Sequence, residues 1–154
     1  MRGCKRRSNQ IARHKRRATS LKDVRYTPLG HSQWHAMGVI NSMEITEKLI
    51  RRSFASWQKN DRDAIEALLA PDFTFTSPYD DCIDRATYFQ NCWPHSNKID
   101  SFSILNLISQ GNACFVRYRC TLTTGETFEN TEYFETNGQQ IVQVIVFFGS
   151  LPTK

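Results

Sequence analysis

Residues 60–78 read NDRDAIEALLAPDFTFTSP, and this stretch sets the order of the elements. Asn60-Asp61 is a tight break whose side chains can cap a helix. Ile65, Leu68 and Leu69 then recur on one helical face. Pro71 cannot continue that helix, because it has no amide proton and restricts the residue before it. Phe73 and Phe75 alternate with Thr74 and Thr76, the period of a short strand, and Ser77-Pro78 closes it. A short helix therefore runs almost directly into a strand.

On the N-terminal side, a first helix is expected from about Glu44 to Gln58. Ile45, Leu49, Ile50, Phe54 and Trp57 form one apolar stripe. Asn41 and Glu44 have capping-box spacing, and Ser42 is an alternative cap. Lys48, Arg51, Arg52 and Lys59 fall largely off the stripe and read as a solvated face. On the C-terminal side, Asp84 can cap a third helix carrying Tyr88, Phe89, Cys92 and Trp93, stopped by Pro94.

The hydrophobic period then changes to two. Strands are expected at about 99–109, 113–122, 126–136 and 140–149, separated by Gly111-Asn112, Thr124-Gly125 and Asn137-Gly138. The order is helix, helix, strand, helix and a four-strand meander. This predicts an α+β fold: a cone-shaped, curved antiparallel sheet wrapped on three N-terminal helices, enclosing one apolar pocket.

The chain of 154 residues has the length of one domain, and at 40% hydrophobic it can bury a core. No apolar run approaches the roughly 18–20 residues of a membrane-spanning helix, and the N-terminus carries no apolar signal segment. The net charge of +5 is unevenly placed: residues 1–40 hold ten of the 20 basic residues and one of the 15 acids. Residues 1–42 are therefore set apart from a domain at 43–151. Three readings stay open for the tail: a basic arm touching nucleic acid or acidic lipid, an Arg-rich targeting segment, or sequence upstream of a natural start at Met37 or Met43. It is the chain's only route to nucleic acid. The five cysteines include no CxxC pair and read as reduced, mostly buried thiols of a cytoplasmic protein.

Strand parity selects the pocket lining. Cys114, Val116, Tyr118, Cys120 and Leu122 share one face of the second meander strand, opposite Phe115, Arg117, Arg119 and Thr121. On the next strand, Phe128, Asn130, Glu132 and Phe134 share a face. A three-residue loop with Gly125 in the left-handed region sets Tyr118 opposite Asn130 and keeps the apolar faces together. A two-residue loop would set Arg119 there instead. Val144, Val146 and Phe148 face in from the last strand, and Trp57, Tyr88, Cys92 and Trp93 can close the wall.

Glu132 is the sharpest polar candidate, since a carboxyl in an aromatic cavity has a raised pKa and can move protons. Its bland alternative is a structural carboxylate bonded to Tyr88, Tyr118 or a helix N-terminus. Tyr88 could donate a proton or be a core aromatic with a satisfied hydroxyl. Asn130 could orient a ligand carbonyl. Capping and solvation account for Asp80, Asp81 and Asp84 without a metal. Cys92 has no histidine at nucleophile spacing and reads as a core thiol.

The run NDRDAIEALLAPDFTFTSP together with IVQVIVFFG at 141–149 resembles the nuclear transport factor 2-like superfamily, in its SnoaL-like and ketosteroid isomerase-like branch. FTSPYDDCIDRATYFQNCWP at 75–94 resembles one bacterial group of that branch. The resemblance covers about residues 44–150. It implies the cone fold, and it implies that Ser77 stands at the isomerases' general base, Ser53 at their oxyanion tyrosine and Glu132 at their oxyanion carboxylic acid. It also implies two rival uses. One is a cofactor-independent isomerase, cyclase or dehydratase acting on a small hydrophobic carbonyl compound through Glu132 and Tyr88, with Trp57, Ser77, Cys92, Trp93, Tyr118, Phe128, Asn130 and Phe148 holding the ligand. The other is a non-catalytic ligand-binding or homodimerisation module.

Overall fold

A computed structural model describes residues 32–149, with side chains from Ser42 onward. Helix α1 (Ser32–Gln58) leads into α2 (Arg62–Leu68), β1 (Leu69–Thr76), β2 (Ile83–Asp84) and α3 (Arg85–Asn91). A 3-10 helix (Trp93–Lys98) follows, then β3 (Ile99–Gln110), β4 (Ala113–Leu122), β5 (Thr127–Thr136) and β6 (Ile141–Phe148). The strands form one six-stranded curved sheet in the order β2-β1-β6-β5-β4-β3. The fold is α+β, with helices laid against the concave face.

Several expectations are corrected. The first helix starts at Ser32 instead of near Glu44, so neither Asn41 nor Ser42 caps it. Ile45 is 36% exposed, and Thr46, wholly buried, takes its place on the inner stripe with Leu49, Ile50, Ser53, Phe54 and Trp57. The helix turns Ile45 away because positions 46, 49, 50, 53, 54 and 57 follow the 3.6-residue period more closely. Helix α3 ends at Asn91, and Pro94 opens the 3-10 turn, so Trp93 lies outside α3. The sheet is mixed: β1 runs parallel to β6, with Phe75 opposite Val144. Among the cysteines, Cys92, Cys114 and Cys120 are free while Cys82 is disulfide-bonded, so the expectation of reduced thiols fails there. Cys4 and the rest of residues 1–31 lie outside the described residues.

The caps do follow the sequence. Asp61 accepts a hydrogen bond from the Ala64 amide at 3.0 Å, and Asp84 accepts one from the Thr87 amide at 2.8 Å. Both hold the starts of short helices that would be marginal alone. Between β4 and β5 the three-residue loop closes with Gly125 at φ +84, and Tyr118 stands opposite Asn130. The core gathers Ile50, Ile65, Phe73, Val116, Cys114 and Ile141, each at most 1% exposed.

Helix α1 is pinned to the meander by a buried polar cluster. Thr46 Oγ1 donates to the Gly111 carbonyl at 3.1 Å and lies 3.3 Å from Thr136 Oγ1. Replacing Thr46 with valine keeps the shape and removes both contacts. We expect Thr46→Val to cost about 0.5–1.5 kcal/mol in urea unfolding, because the hydrogen bond to the half-buried Gly111 carbonyl is lost. A loss below a few tenths of a kcal/mol would mean that this tie does not anchor the helix.

Candidate active site

The concave face and the helices enclose a cavity of about 240 Å³. Its wall is mostly aromatic and aliphatic, and its oxygen-bearing side chains are Ser53, Ser77, Tyr88, Tyr118, Asn130 and Glu132. Strand parity brings three of them together. Tyr118 and Asn130 pair directly across β4 and β5, and Glu132 lies one step diagonally away on the same face. The Tyr118 hydroxyl donates to Glu132 Oε1 at 2.6 Å, and Asn130 Nδ2 donates to the Tyr118 oxygen at 3.4 Å. Glu132 Oε2 has no hydrogen bond from any described residue.

The opposite wall is built by helices. Trp57, on the last turn of α1, donates its indole N–H to the Tyr88 hydroxyl oxygen at 2.9 Å. Tyr88 projects from α3 and packs against Phe73, Phe75, Phe89 and Trp57. Its hydroxyl accepts from Trp57, and its own proton has no acceptor among the described residues. A hydrogen bond received at the oxygen also strengthens the phenol as a donor.

Burial explains the ionisation of the site. Glu132 keeps partial solvent access only because it faces the cavity. Burial pushes its carboxyl up to about 7, and the Tyr118 hydrogen bond acts the other way. Burial, followed by the nearby Glu132 charge, holds the Tyr88 and Tyr118 phenols well above their ordinary value. Both stay protonated, so neither can serve as a base. Burial and the charge of Asp80 push the Cys92 thiol up to about 12, which keeps it a thiol and removes it as a nucleophile. The Ser77 hydroxyl donates to Asp80 Oδ2 at 2.9 Å and accepts from the amides of Tyr79 and Asp80. Those bonds fix a turn and commit the Ser77 hydroxyl to Asp80 and the two amides. No group of three or more metal-binding side chains occurs among the described residues.

The pattern for the SnoaL-like domain matches residues 50–144, more than half of the chain. The chain belongs to the SnoaL-like domain family. Solved structures with the same fold as this SnoaL-like domain include a candidate ketosteroid isomerase from Kribbella flavida DSM 17836. It is 22% identical, with a TM-score of 0.60 over 73% of this chain and 83% of that one. An LEH-like epoxide hydrolase from M. tuberculosis is 16% identical, with a TM-score of 0.59 over 70% and 84%. An NTF-2 like protein of unknown function from Burkholderia xenovorans LB400 is 16% identical, with a TM-score of 0.63 over 71% and 87%. At these identities the likeness is one of fold. No curated protein matches the chain closely enough to lend it an activity.

In this SnoaL-like domain Glu132, Tyr88, Trp57, Ser77, Cys92, Tyr118, Phe128, Asn130 and Phe148 all line the cavity. Trp93 does not. It sits behind the wall with its ring centroid 5.0 Å from that of Trp57 and 6.2 Å from that of Phe89, because the 3-10 turn carries it past the end of α3. Sequence reasoning missed Ile99 and Phe102 on β3 and left Phe75 as an undirected strand residue. The register of β3 shifts between Ile104 and Asn106, so no single parity runs through that strand. Phe102 was reachable from its pairing with Cys120, whose inward face was evident.

The ionisation of Glu132 leaves a mark on stability. Its folded pKa of about 7 lies above the ordinary 4.5, so the native state holds a proton that the unfolded chain has lost. Its contribution is complete below about pH 4.5 and is lost as pH rises to about 7. We expect wild-type stability to fall across that window by at most about 3 kcal/mol relative to Glu132→Gln, read from chemical denaturation at several pH values. Parallel curves for the two proteins would show that the carboxyl is not held up by burial.

Proposed function

We propose that this SnoaL-like domain catalyses proton transfer on a small hydrophobic carbonyl compound, without a cofactor. The observation that carries the reading is the pairing of two unengaged groups on one apolar cavity. Glu132 Oε2 has no hydrogen-bonding partner among the described residues, and the Tyr88 proton has no acceptor there.

A carbonyl oxygen placed at Tyr88 would receive that proton as a hydrogen bond. The raised pKa of Tyr88 keeps the proton on the phenol, so it stabilises developing enolate charge without transferring. Glu132, as carboxylate, would take the proton from the carbon beside the carbonyl. The electron pair of the broken C–H bond forms the enolate, and Glu132 returns the proton to another carbon, shifting a double bond. No oxidant or reductant is needed. A base with a pKa near 7 is well matched to this work at neutral pH. Tyr118 holds Oε1 and thereby directs Oε2 at the substrate. The aromatic wall suits an apolar ring. The ketosteroid isomerase and epoxide hydrolase among the structural relatives are consistent with a small-molecule pocket in this fold.

A second reading has support on the other face of the sheet. Ile108, Phe115 and Phe147 are 69%, 48% and 49% exposed there, and Arg117 and Arg119 both bridge to Glu129. Mixed charge beside exposed apolar side chains suits a homodimer contact, with or without catalysis. Sedimentation should give a dimer that Phe115→Asp converts to monomer; a monomeric wild type removes this reading.

Cyclohex-3-enone, which conjugates to cyclohex-2-enone, is a direct probe of the chemistry. We expect kcat/KM to rise with pH through an apparent pKa of about 7 and then level, because the base must be ionised. Glu132→Gln should lower the rate by about 10²–10⁴ and Tyr88→Phe by at least about tenfold. Native turnover in Glu132→Gln would end the assignment.

A further inference from the structure

Among the described residues Glu132 meets no cation: those that line the cavity include no Lys, Arg or His, and Glu132 is the one carboxylic acid among them. Once ionised, it is an uncompensated negative charge in a mostly aromatic hollow. Buried charges are normally paired, and a carboxylate without a counter-ion is costly. The rings around it are of the kind that attract cations. Tyr118, bonded to Glu132, has its ring centroid 4.9 Å from that of Phe54 and 5.5 Å from that of Phe102. On the helical side, the Trp57 and Tyr88 centroids are 6.1 Å apart. The faces of such rings carry negative potential, and Trp is the strongest of them.

We infer that the cavity takes a second class of ligand: a protonated tertiary amine bearing an apolar ring. Its N–H donates to Glu132 Oε2, its N-alkyl groups lie against the aromatic wall, and its ring fills the remainder of the roughly 240 Å³. The inference rests on the composition of the cavity wall, not on the catalytic reading. A bound amine needs no proton transfer to carbon, and the two readings can fail separately.

Only Glu132 changes charge in the relevant pH range. The titratable groups that share the cavity with it are Tyr118 and Cys120 from β4, Tyr88 from α3 and Cys92 just beyond α3. Both phenols are held well above their ordinary value, and burial pushes the Cys120 thiol up to about 11 and the Cys92 thiol up to about 12, so all four stay neutral. The groups lining the cavity from β6 are Val144, Val146 and Phe148, and α1 contributes Ser53, Phe54 and Trp57, none of which titrates. Amine preference should therefore appear as Glu132 ionises and vanish when it is protonated.

The test compares N,N-dimethylbenzylamine with isobutylbenzene, its uncharged carbon isostere, by ligand-observed NMR titration of the full chain. At about pH 8 the amine should bind at least about tenfold more tightly. At about pH 5.5 that advantage should be gone, with the amine binding no more tightly than the hydrocarbon, since the carboxyl is then neutral and the ammonium is unpaired. In Glu132→Gln the preference should be absent at both pH values, while retained isobutylbenzene binding reports an intact cavity. Equal affinities in the wild type at pH 8, no amine binding at all, or a preference that survives in Glu132→Gln would each overturn the inference. Enone turnover, measured separately, is untouched by any of these results.

Discussion

The alignment of Tyr118 with Asn130 across β4 and β5 governs what the cavity contains. Side chains alternate along a strand, so a slip of one residue turns a whole set to the other face. In the slipped register Arg117 and Arg119 would come opposite Glu132 and Asn130 on the inner face of β5, and the apolar faces would part. Two constraints fix the observed pairing. Gly125 takes the positive φ that the three-residue loop requires, and Cys114, Val116 and Cys120 bury almost completely against the helices. On the convex side Arg117 and Arg119 both reach Glu129, so the charged face agrees with the apolar one. Glu132 is carried inward by this register although a carboxyl would not choose that place.

A carboxyl in a mostly apolar hollow and a cavity of about 240 Å³ both weaken a small domain. The core below the cavity compensates. Ile50, Phe73, Ile65 and Ile141 are closely packed, and Thr46 ties α1 to the Gly111 turn. The division between a dense base and a hollow upper part follows from the residues. Ile50, Ile65 and Ile141 are almost wholly buried in the core, whereas the cavity is walled largely by rings such as Phe54, Phe102 and Tyr118 that meet edge to face. Sites that hold reactive groups commonly give up local stability in this way.

Most of the cone was legible because its signals are local. Alternation marks β4, β5 and β6, and the caps Asp61 and Asp84 precede their helices as the sequence suggests. Inward parity singled out Glu132, Tyr118 and Asn130. What stayed hidden depends on contacts between distant segments. The parallel pairing of β1 with β6 joins residues some seventy positions apart, and β2 has only two residues, too few for a periodic signal. Trp93 was misplaced because Pro94 initiates a 3-10 turn where it was expected only to end a helix. The hydrogen bond from Trp57 to Tyr88 joins α1 to α3 and has no counterpart in any sequence spacing.

That last bond decides how the cavity's polar groups divide their roles. Without it, the Tyr88 hydroxyl could accept from a ligand as readily as donate. With its oxygen taken by the Trp57 indole, its remaining strength lies in its proton. Tyr118 is committed differently, since its proton lies on Glu132 and its oxygen receives Asn130. Ser77 serves its turn through Asp80, and the Cys92 thiol is too weak an acid to ionise. Among Tyr88, Tyr118, Ser77, Cys92 and Glu132, Glu132 is therefore left with a carboxylate oxygen to accept a proton and Tyr88 with a proton to offer. This asymmetry comes from five elements, α1, α3, β4, β5 and the turn after β1, and the fold would persist without it. It is the feature on which the proposed chemistry rests.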